Sequence, residues 1–276
     1  MDQRSILITG CSSGIGLDAA RTLAARGWRV FAACRRDADC ARRAAEGLET
    51  VRLDYEDEAS IDAALAAVLE RTGNRLDALF NNGAYAIPGF VEDLPTAALR
   101  QIFEANLFGW HHLTRAVLPV MRAQGSGRIV QCSSVLGMAG VRYRGAYVAT
   151  KFALEGLTDC LRMELHGLPI HVSLIEPGPI ATRFNANALA QYRRWIDAGA
   201  SARREELAAI EARYARGSDR PGRFELPPSA VTGRLVHALE SPRPRARYYV
   251  TTPTFVVAAL RRIAPRAVLD WVMAKN

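Results

Sequence analysis

No window of about 18 uncharged apolar residues occurs in this 276-residue chain, so no segment is built to cross a bilayer as a helix. The opening MDQRSILITG enters a strand-like run at once, which leaves no room for a secretory apolar region and makes the cytoplasm the expected location. Cysteine is scarce: Cys11, Cys34, Cys40, Cys132 and Cys160 are odd in number, widely spaced and lack a C-x-x-C. That argues against a disulfide framework and a zinc site, and reduced, mostly buried thiols are expected. No metal site is expected elsewhere, since His111 and His112 are adjacent on a helix, point to different faces and have no acidic neighbours in sequence. The net charge of +8 clusters chiefly near the C-terminus, in SPRPRARYYV and LRRIAPR. Basic residues interleaved with aromatics over the main body are missing, so nucleic acid is not an expected partner. No internal repeat and no Gly/Ser linker divides the chain, which predicts one domain over residues 1–276.

What is present is an alternation. The apolar runs SILIT, WRVFAAC, TVRL, ALFN, GRIVQC, IHVSLIE and RYYV read as strands, and helix-length stretches at 17–26, 38–47, 60–71, 96–124 and 145–165 lie between the first six. The strands are apolar on both faces, which implies a parallel sheet covered by helices on both sides. The predicted fold class is therefore α/β, a doubly wound, Rossmann-type parallel sheet of seven strands. Residues 185–228 break this rhythm with an Arg-, Glu- and Ala-rich segment holding Tyr192 and Trp195 and ending in GSDRPGRFELPP. Such an insertion on the strand C-terminal side is a common place for a substrate lid, and a solvated helical pair is its plain alternative.

The first strand leads into a helix through TGCSSGIG, where Gly10, Gly14 and Gly16 allow positive φ and close backbone approach. A helix N-terminus behind Ser12, Ser13, Gly14 and Ile15 would offer free N–H groups to a pyrophosphate. The spacing is G-x-x-x-G-x-G and not the commoner dinucleotide fingerprint, so alone it is only suggestive. At the end of the second strand, where a nucleotide fold reads the ribose, Cys34 is followed by Arg35 and Arg36. These arginines suit a 2′-phosphate, so NADP(H) is preferred over NAD(H), unless Asp37 and Asp39 neutralise them. Asp54, in RLDYED after the third strand, could accept a bond from an adenine amino group or cap a helix.

Tyr147 and Lys151 in GAYVATKFALEGL are four apart and share a helix face. Alone they would be surface decoration, but GRIVQCSS places Ser134 on the preceding strand end and FEANLFG supplies Asn106. With TGCSSGIG, NNGA (residues 81–84), Asn106, Ser134, the Tyr147-x-x-x-Lys151 pair and PGPIAT (residues 177–182), the sequence resembles the short-chain dehydrogenase/reductase family. SLIEPGPIATRF and RYYVTTPTFVVAALRRIAP further resemble the branch of retinol dehydrogenases and 17β-hydroxysteroid dehydrogenases.

The resemblance implies that Tyr147 is the general acid/base, that Lys151 lowers its pKa and binds the nicotinamide ribose, and that Ser134 polarises the substrate oxygen. It implies that Asn106 holds a water linking Lys151 to solvent. Asn82 and the Pro177, Ile180 and Thr182 segment join the cofactor site, the last two toward the nicotinamide carboxamide. Moving a tyrosine from pKa ~10 to half-ionisation at pH 7 needs about 4 kcal/mol, which one cation at ~4 Å supplies at an effective dielectric near 20. Expected activity is NADP(H)-dependent interconversion of an alcohol with an aldehyde or ketone on a hydrophobic retinoid-, steroid- or lipid-like substrate; the alternative is a nucleotide-binding sensor of the same fold without turnover. A homodimer or homotetramer is implied, and the Leu154, Leu157, Leu161, Leu165 stripe is either helix core or its interface. One departure is Gly83-Ala84 where the family usually has Ala-Gly, which puts a methyl where none is usual. Residues 253–276 carry an apolar set flanked by Arg261, Arg262, Arg266 and Lys275, suited to peripheral membrane contact, to roofing a substrate pocket or to packing on the body.

Overall fold

Seven short runs of β-branched and aliphatic residues pair side by side because each is apolar on both faces and can be satisfied only in the middle of a layered structure. In the computed structural model, which describes residues 3–216, 222 and 224–274, these are β1 (Ser5–Thr9), β2 (Arg29–Cys34), β3 (Glu49–Arg52), β4 (Ala78–Asn81), β5 (Gly127–Cys132), β6 (Ile170–Glu176) and β7 (Arg247–Tyr249). They form one parallel sheet in the order β3-β2-β1-β4-β5-β6-β7. The order reverses between β1 and β4, and that is the crevice where a doubly wound sheet receives a ligand.

Helices α1 (Gly14–Ala25), α2 (Asp37–Ala44), α3 (Glu58–Thr72), α4 (Thr96–Phe103), α5 (Gly109–Gln124), α6 (Gly145–Glu164) and α9 (Ser229–Glu240) flank the sheet. The main core joins β1, β2 and β4 to α1, α3 and α5 through Leu7, Phe31, Phe80, Leu23, Ile61 and Trp110, all buried. The predicted helix over 96–124 is not continuous. A π-helical turn, Glu104–Phe108, separates α4 from α5. Its Asn106 side chain is fully buried and bonded to the backbone of Tyr85, so the extra residue in the turn serves to aim an amide inward.

The segment read as a lid forms α7 (Phe184–Trp195) and α8 (Arg204–Ala215), with 217–221 and 223 outside the described residues. Both pack on Ile87, Phe90 and Ile102 in a second apolar cluster that also contains Tyr147. The C-terminal segment is two helices, α10 (Thr252–Ile263) and α11 (Arg266–Ala274), broken at Pro265; residues 275–276 lie outside the described residues. One face of this pair, Val257, Ala258, Leu269 and Met273, packs on Met138 and Ala139 beyond β5. The other leaves Phe255, Val256, Ile263 and Trp271 exposed. No described helix is long and apolar enough to cross a membrane. All five cysteines are free, and Cys160 is exposed rather than buried.

Candidate active site

The parallel strands end on one edge of the sheet, and the loops leaving β1, β2, β3, β4, β5 and β6 enclose a cleft of about 1140 Å³. After β1 the chain turns through Gly10 at φ +70°, where a Cβ would come within 2.7 Å of Gly83 Cα. A Cβ on Gly16 would meet Gly10 O at 2.5 Å. The turn therefore lies flat against the loop after β4, and Ser12, Ser13, Gly14 and Ile15 line the cleft floor. Ser13 caps α1 without using its side chain, so the first-turn N–H groups face the cleft unspent. Thr9 ties the two loops together, its Oγ1 lying 2.8 Å from Asn82 N and 3.2 Å from Gly83 N, while Asn82 Nδ2 donates to Thr9 O at 3.1 Å. The inverted Gly83-Ala84 pair fits without strain: neither residue has positive φ, and the Ala84 methyl packs half-buried on the core.

At the β2 end, Arg35 and Arg36 are exposed, line the cleft and have no ion pair among the described residues. Asp39 pairs with Arg42 instead, and both Asp37 and Asp39 sit in the first turn of α2, where the helix dipole favours them. Asp54 also lines the cleft; the cap of α3 is Asp57, whose Oδ1 accepts from Ala59 N and Ser60 N, so Asp54 is not spent on capping.

Opposite the loop, Ser134, Tyr147 and Lys151 converge on the same cleft, with relative exposures of 9%, 7% and 1%. Lys151 Nζ donates to Cys132 O at 2.9 Å and lies 4.1 Å from the ring centre of Trp110. Burial lowers the Lys151 pKa from 10.5 to about 8. Burial likewise raises Tyr147 above the ordinary 10, the nearby Cys132 adds to the rise, and the neighbouring Ser134 hydroxyl and the charge of Arg144 pull against it. Burial thus opposes ionisation of Tyr147, and the Lys151 ammonium is engaged by a carbonyl and an indole. Asn106 accepts from Tyr85 N (3.1 Å) and donates to Tyr85 O (2.8 Å) and Thr150 Oγ1 (3.3 Å), which fixes the loop after β4 against α6. From β6, Pro177 O receives Val135 N at 2.8 Å, and Ile180 and Thr182 reach over the nucleotide loop, Thr182 Cγ2 standing 3.0 Å from where a Gly14 Cβ would be.

Over residues 4–193 the sequence matches the short chain dehydrogenase family. The chain belongs to this family. It is 41% identical over 271 residues to the uncharacterized oxidoreductase YbbO of Escherichia coli, covering 98% of this chain and 94% of that one. It is 34% identical over 266 residues to human 17-beta-hydroxysteroid dehydrogenase type 1 (91% and 78% covered) and 37% identical over 198 residues to human retinol dehydrogenase 8 (68% and 62% covered). A family member from Burkholderia phymatum solved in complex with NAD superposes with a TM-score of 0.79 at 26% identity, covering 94% of this chain and 92% of that one. An actinorhodin polyketide ketoreductase variant solved with NADPH gives 0.74 at 29% identity, covering 90% and 96%. As a short-chain dehydrogenase, the chain is an oxidoreductase of the doubly wound fold with the retinol and steroid branch among its relatives.

Within this family frame the structure adds residues that the motifs did not reveal. Trp110 floors Lys151 and donates Nε1–H to Gly83 O at 2.9 Å, linking the lysine to the loop after β4. Tyr55, one residue after Asp54, bonds both Thr9 Oγ1 (2.8 Å) and Asn81 Oδ1. Behind Lys151, Arg247 of β7 bonds Glu155, Asp159 and Glu176, the last fully buried. In the segment read as a lid, Tyr192 is buried and donates to Leu207 O at 3.2 Å, joining α7 to α8, and the cleft is lined by Phe184, Gln191, Ile210 and Tyr214. The helical period puts residues 188, 192 and 195 on the face away from the cleft. His112 does meet acids of α3, Asp62 at 2.7 Å and Glu58 at 3.5 Å, at the surface; no group of three ligands placed to hold a metal occurs among the described residues.

Proposed function

We propose that the chain is an NADP(H)-dependent oxidoreductase that interconverts an alcohol with an aldehyde or ketone on a hydrophobic substrate. The observation that carries this reading is the convergence of Ser134, Tyr147 and Lys151, all buried, on one cleft with a glycine turn that a Cβ would fill. The unpaired Arg35 and Arg36 and the uncommitted amides of α1 fit a phosphorylated dinucleotide, with Ser12, Ser13 and Ile15 beside the pyrophosphate and Asp54 and Asn82 toward the adenosine. When bound, the nicotinamide supplies or takes up the hydride.

This chain's own residues do the rest. Tyr147, whose ionisation burial opposes, hands its proton to the carbonyl oxygen in reduction, and Ser134 donates to the same oxygen as charge develops there. Lys151 places a cation below the phenol and stabilises the phenolate left behind, with Trp110 and Cys132 O holding its ammonium in position. Asn106 clamps Tyr85 and Thr150 beside the lysine, where a water on the amide would link Lys151 to solvent. Ile180 and Thr182 close over the nicotinamide end, and α7 and α8 act as the lid over the substrate, with Phe184 in an edge contact 5.3 Å from Tyr147.

Following absorbance at 340 nm with a panel of aldehydes, steroids and retinal, NADPH against NADH, tests the reading. Turnover with NADPH, its loss in Tyr147→Phe with NADPH binding retained, and a weaker response to NADH are expected. A large preference for NADH overturns the role given to Arg35, and carbonyl reduction by Tyr147→Phe within tenfold of wild type overturns that of Tyr147.

The exposed face of α10 and α11 supports a second, separable reading. Ile263 is 81% exposed and Trp271 62%, beside Arg261 and Arg262, as in a helix that rests on an anionic lipid surface. Co-sedimentation of the full chain with anionic liposomes should exceed that of a chain truncated at Thr252; equal binding removes the idea.

A further inference from the structure

The substrate end of the cleft is more basic than an apolar ligand requires. Arg144 stands at the N-terminus of α6, three residues before Tyr147, and lines the cleft half-buried with its guanidinium 4.9 Å from the ring centre of Tyr214. Arg213, beside it on α8, lines the same rim. Neither has an ion pair among the described residues. The α8 carboxylates are engaged by other arginines: Glu206 is held by Arg203 through two bonds of 2.8 Å, and Glu211 by Arg193 at 2.7 Å; Glu225, which also lines the cleft, accepts from Gly222 N. The same cleft carries apolar side chains, among them Leu136, Val141, Phe184, Ala209 and Ile210.

The backbone that presents Arg144 is strained. Tyr143 has φ +64°, a left-handed conformation that a bulky aromatic residue rarely adopts and that costs on the order of 1 kcal/mol or more. Two contacts hold it there: an edge contact with Phe90 at 5.0 Å and a bond from Gly89 N to Tyr143 O at 3.0 Å. A half-buried guanidinium without a carboxylate, aimed by a strained residue and stacked on an aromatic ring, is an arrangement awaiting an anion.

Resting on the reading of a carbonyl substrate at Tyr147, we propose that this substrate is amphipathic, with its carbonyl at Tyr147, an apolar chain along Phe184 and Ile210, and a terminal carboxylate or phosphate bound by Arg144 with Arg213 beside it. Arginine suits this better than lysine, because its fork matches two oxygens while its face stays on Tyr214. The anion's distance from the reacting carbon then selects chain length.

The test uses the full chain with NADPH and three aldehydes of equal chain length: an n-alkanal, the ω-oxo carboxylate and the ω-oxo alkyl phosphate. At low ionic strength kcat/KM should be at least tenfold higher for a charged aldehyde than for the alkanal, the size of one charge-assisted bond, and the preference should shrink with added salt. Which charged aldehyde leads identifies the head group. Arg144→Met should collapse the charged-to-neutral ratio toward one, and Arg144→Lys should restore part of it. Equal kcat/KM for charged and neutral aldehydes in the wild type overturns the proposal. So does an Arg144→Met variant that lowers all three alike or that weakens NADPH binding as much as the charged substrate. If no aldehyde is reduced, the carbonyl reading fails by itself. Calorimetric binding of an unreactive alkanoate then decides the anion site: Kd at least tenfold weaker in Arg144→Met upholds it, and an unchanged Kd overturns it.

Discussion

Lys151 sits in the wrong medium for its charge, and the cofactor-free protein should show it. Burial brings its pKa from 10.5 to about 8, so its folded value lies below its unfolded one. The unfolded chain therefore binds more protons between these limits, and stability rises with pH through that window. Relative to a neutral group, the buried ammonium costs about 3 kcal/mol at pH 7 and about 1 kcal/mol at pH 10. Lys151→Met keeps the length of the side chain, removes the charge, and forfeits the bond to Cys132 O and the contact with Trp110 at both pH values. Whatever that fixed loss is, the stability of the variant relative to wild type should fall by about 2 kcal/mol on going from pH 7 to pH 10. Urea unfolding followed by circular dichroism, at both pH values and without nucleotide, measures it. A difference between the two proteins that does not move with pH refutes the view that Lys151 is held charged against a desolvation cost.

Four further perturbations have defined outcomes. Gly16→Ala should weaken NADPH binding by tenfold or more in fluorescence titration, because its methyl meets Gly10 O at 2.5 Å and pushes the turn into the space of the pyrophosphate. Asn106→Ala leaves the Tyr85 N–H and C=O without their side-chain partner and should cost roughly 2–4 kcal/mol in urea unfolding, with the loss in turnover exceeding the loss in nucleotide affinity. Arg247→Met strands Glu155 and Glu176 and should cost about 3–5 kcal/mol near neutral pH. Burial, with Glu155 beside it, already pushes Glu176 up to about 8, above its unfolded value of 4.5, so the stability its protonated form contributes is present at low pH and lost as pH rises from 4.5 through 8; the Arg247→Met variant should accordingly be less impaired at pH 5 than at pH 8. Replacing Arg35 and Arg36 together by Ala should raise the KM for NADPH and leave that for NADH nearly unchanged.

Much of the fold was legible because parallel strands buried on both faces write themselves as unbroken apolar runs; SILIT, ALFN, GRIVQC and IHVSLIE have the bounds expected of them. Ser134, Tyr147 and Lys151 stood out for a different reason: helical period put only Tyr147 and Lys151 on one face, and the family resemblance singled out all three, which line one cleft. What could not be read depends on distances across the fold. Trp110 looks like one more apolar residue of α5 until Lys151 is seen above it. The π-turn at Glu104–Phe108 leaves no periodic trace, being a single inserted residue in an otherwise helical pattern. The orientation of Tyr192 and Trp195 was not legible because an aromatic residue in an insertion can face either way, and only the packing of α7 on α8 decides. Arg144 was hidden between Tyr143 and Gly145, where nothing in the sequence announces a left-handed tyrosine.

The reversal of strand order beside β1 governs how this chain must come together during synthesis. β1 pairs with β2, its next strand, but its other edge waits for β4, with Ile6 meeting Ala78. Until residues near 80 have emerged, the nascent chain displays an apolar strand with one row of N–H and C=O groups unpaired, a template for unwanted association. The Thr9 contacts to Asn82 and Gly83 form in the same step that closes this edge. The nucleotide turn is therefore completed when the hazard ends, and a chain interrupted before Ala78 would carry the glycines of the turn with nothing for them to lie against.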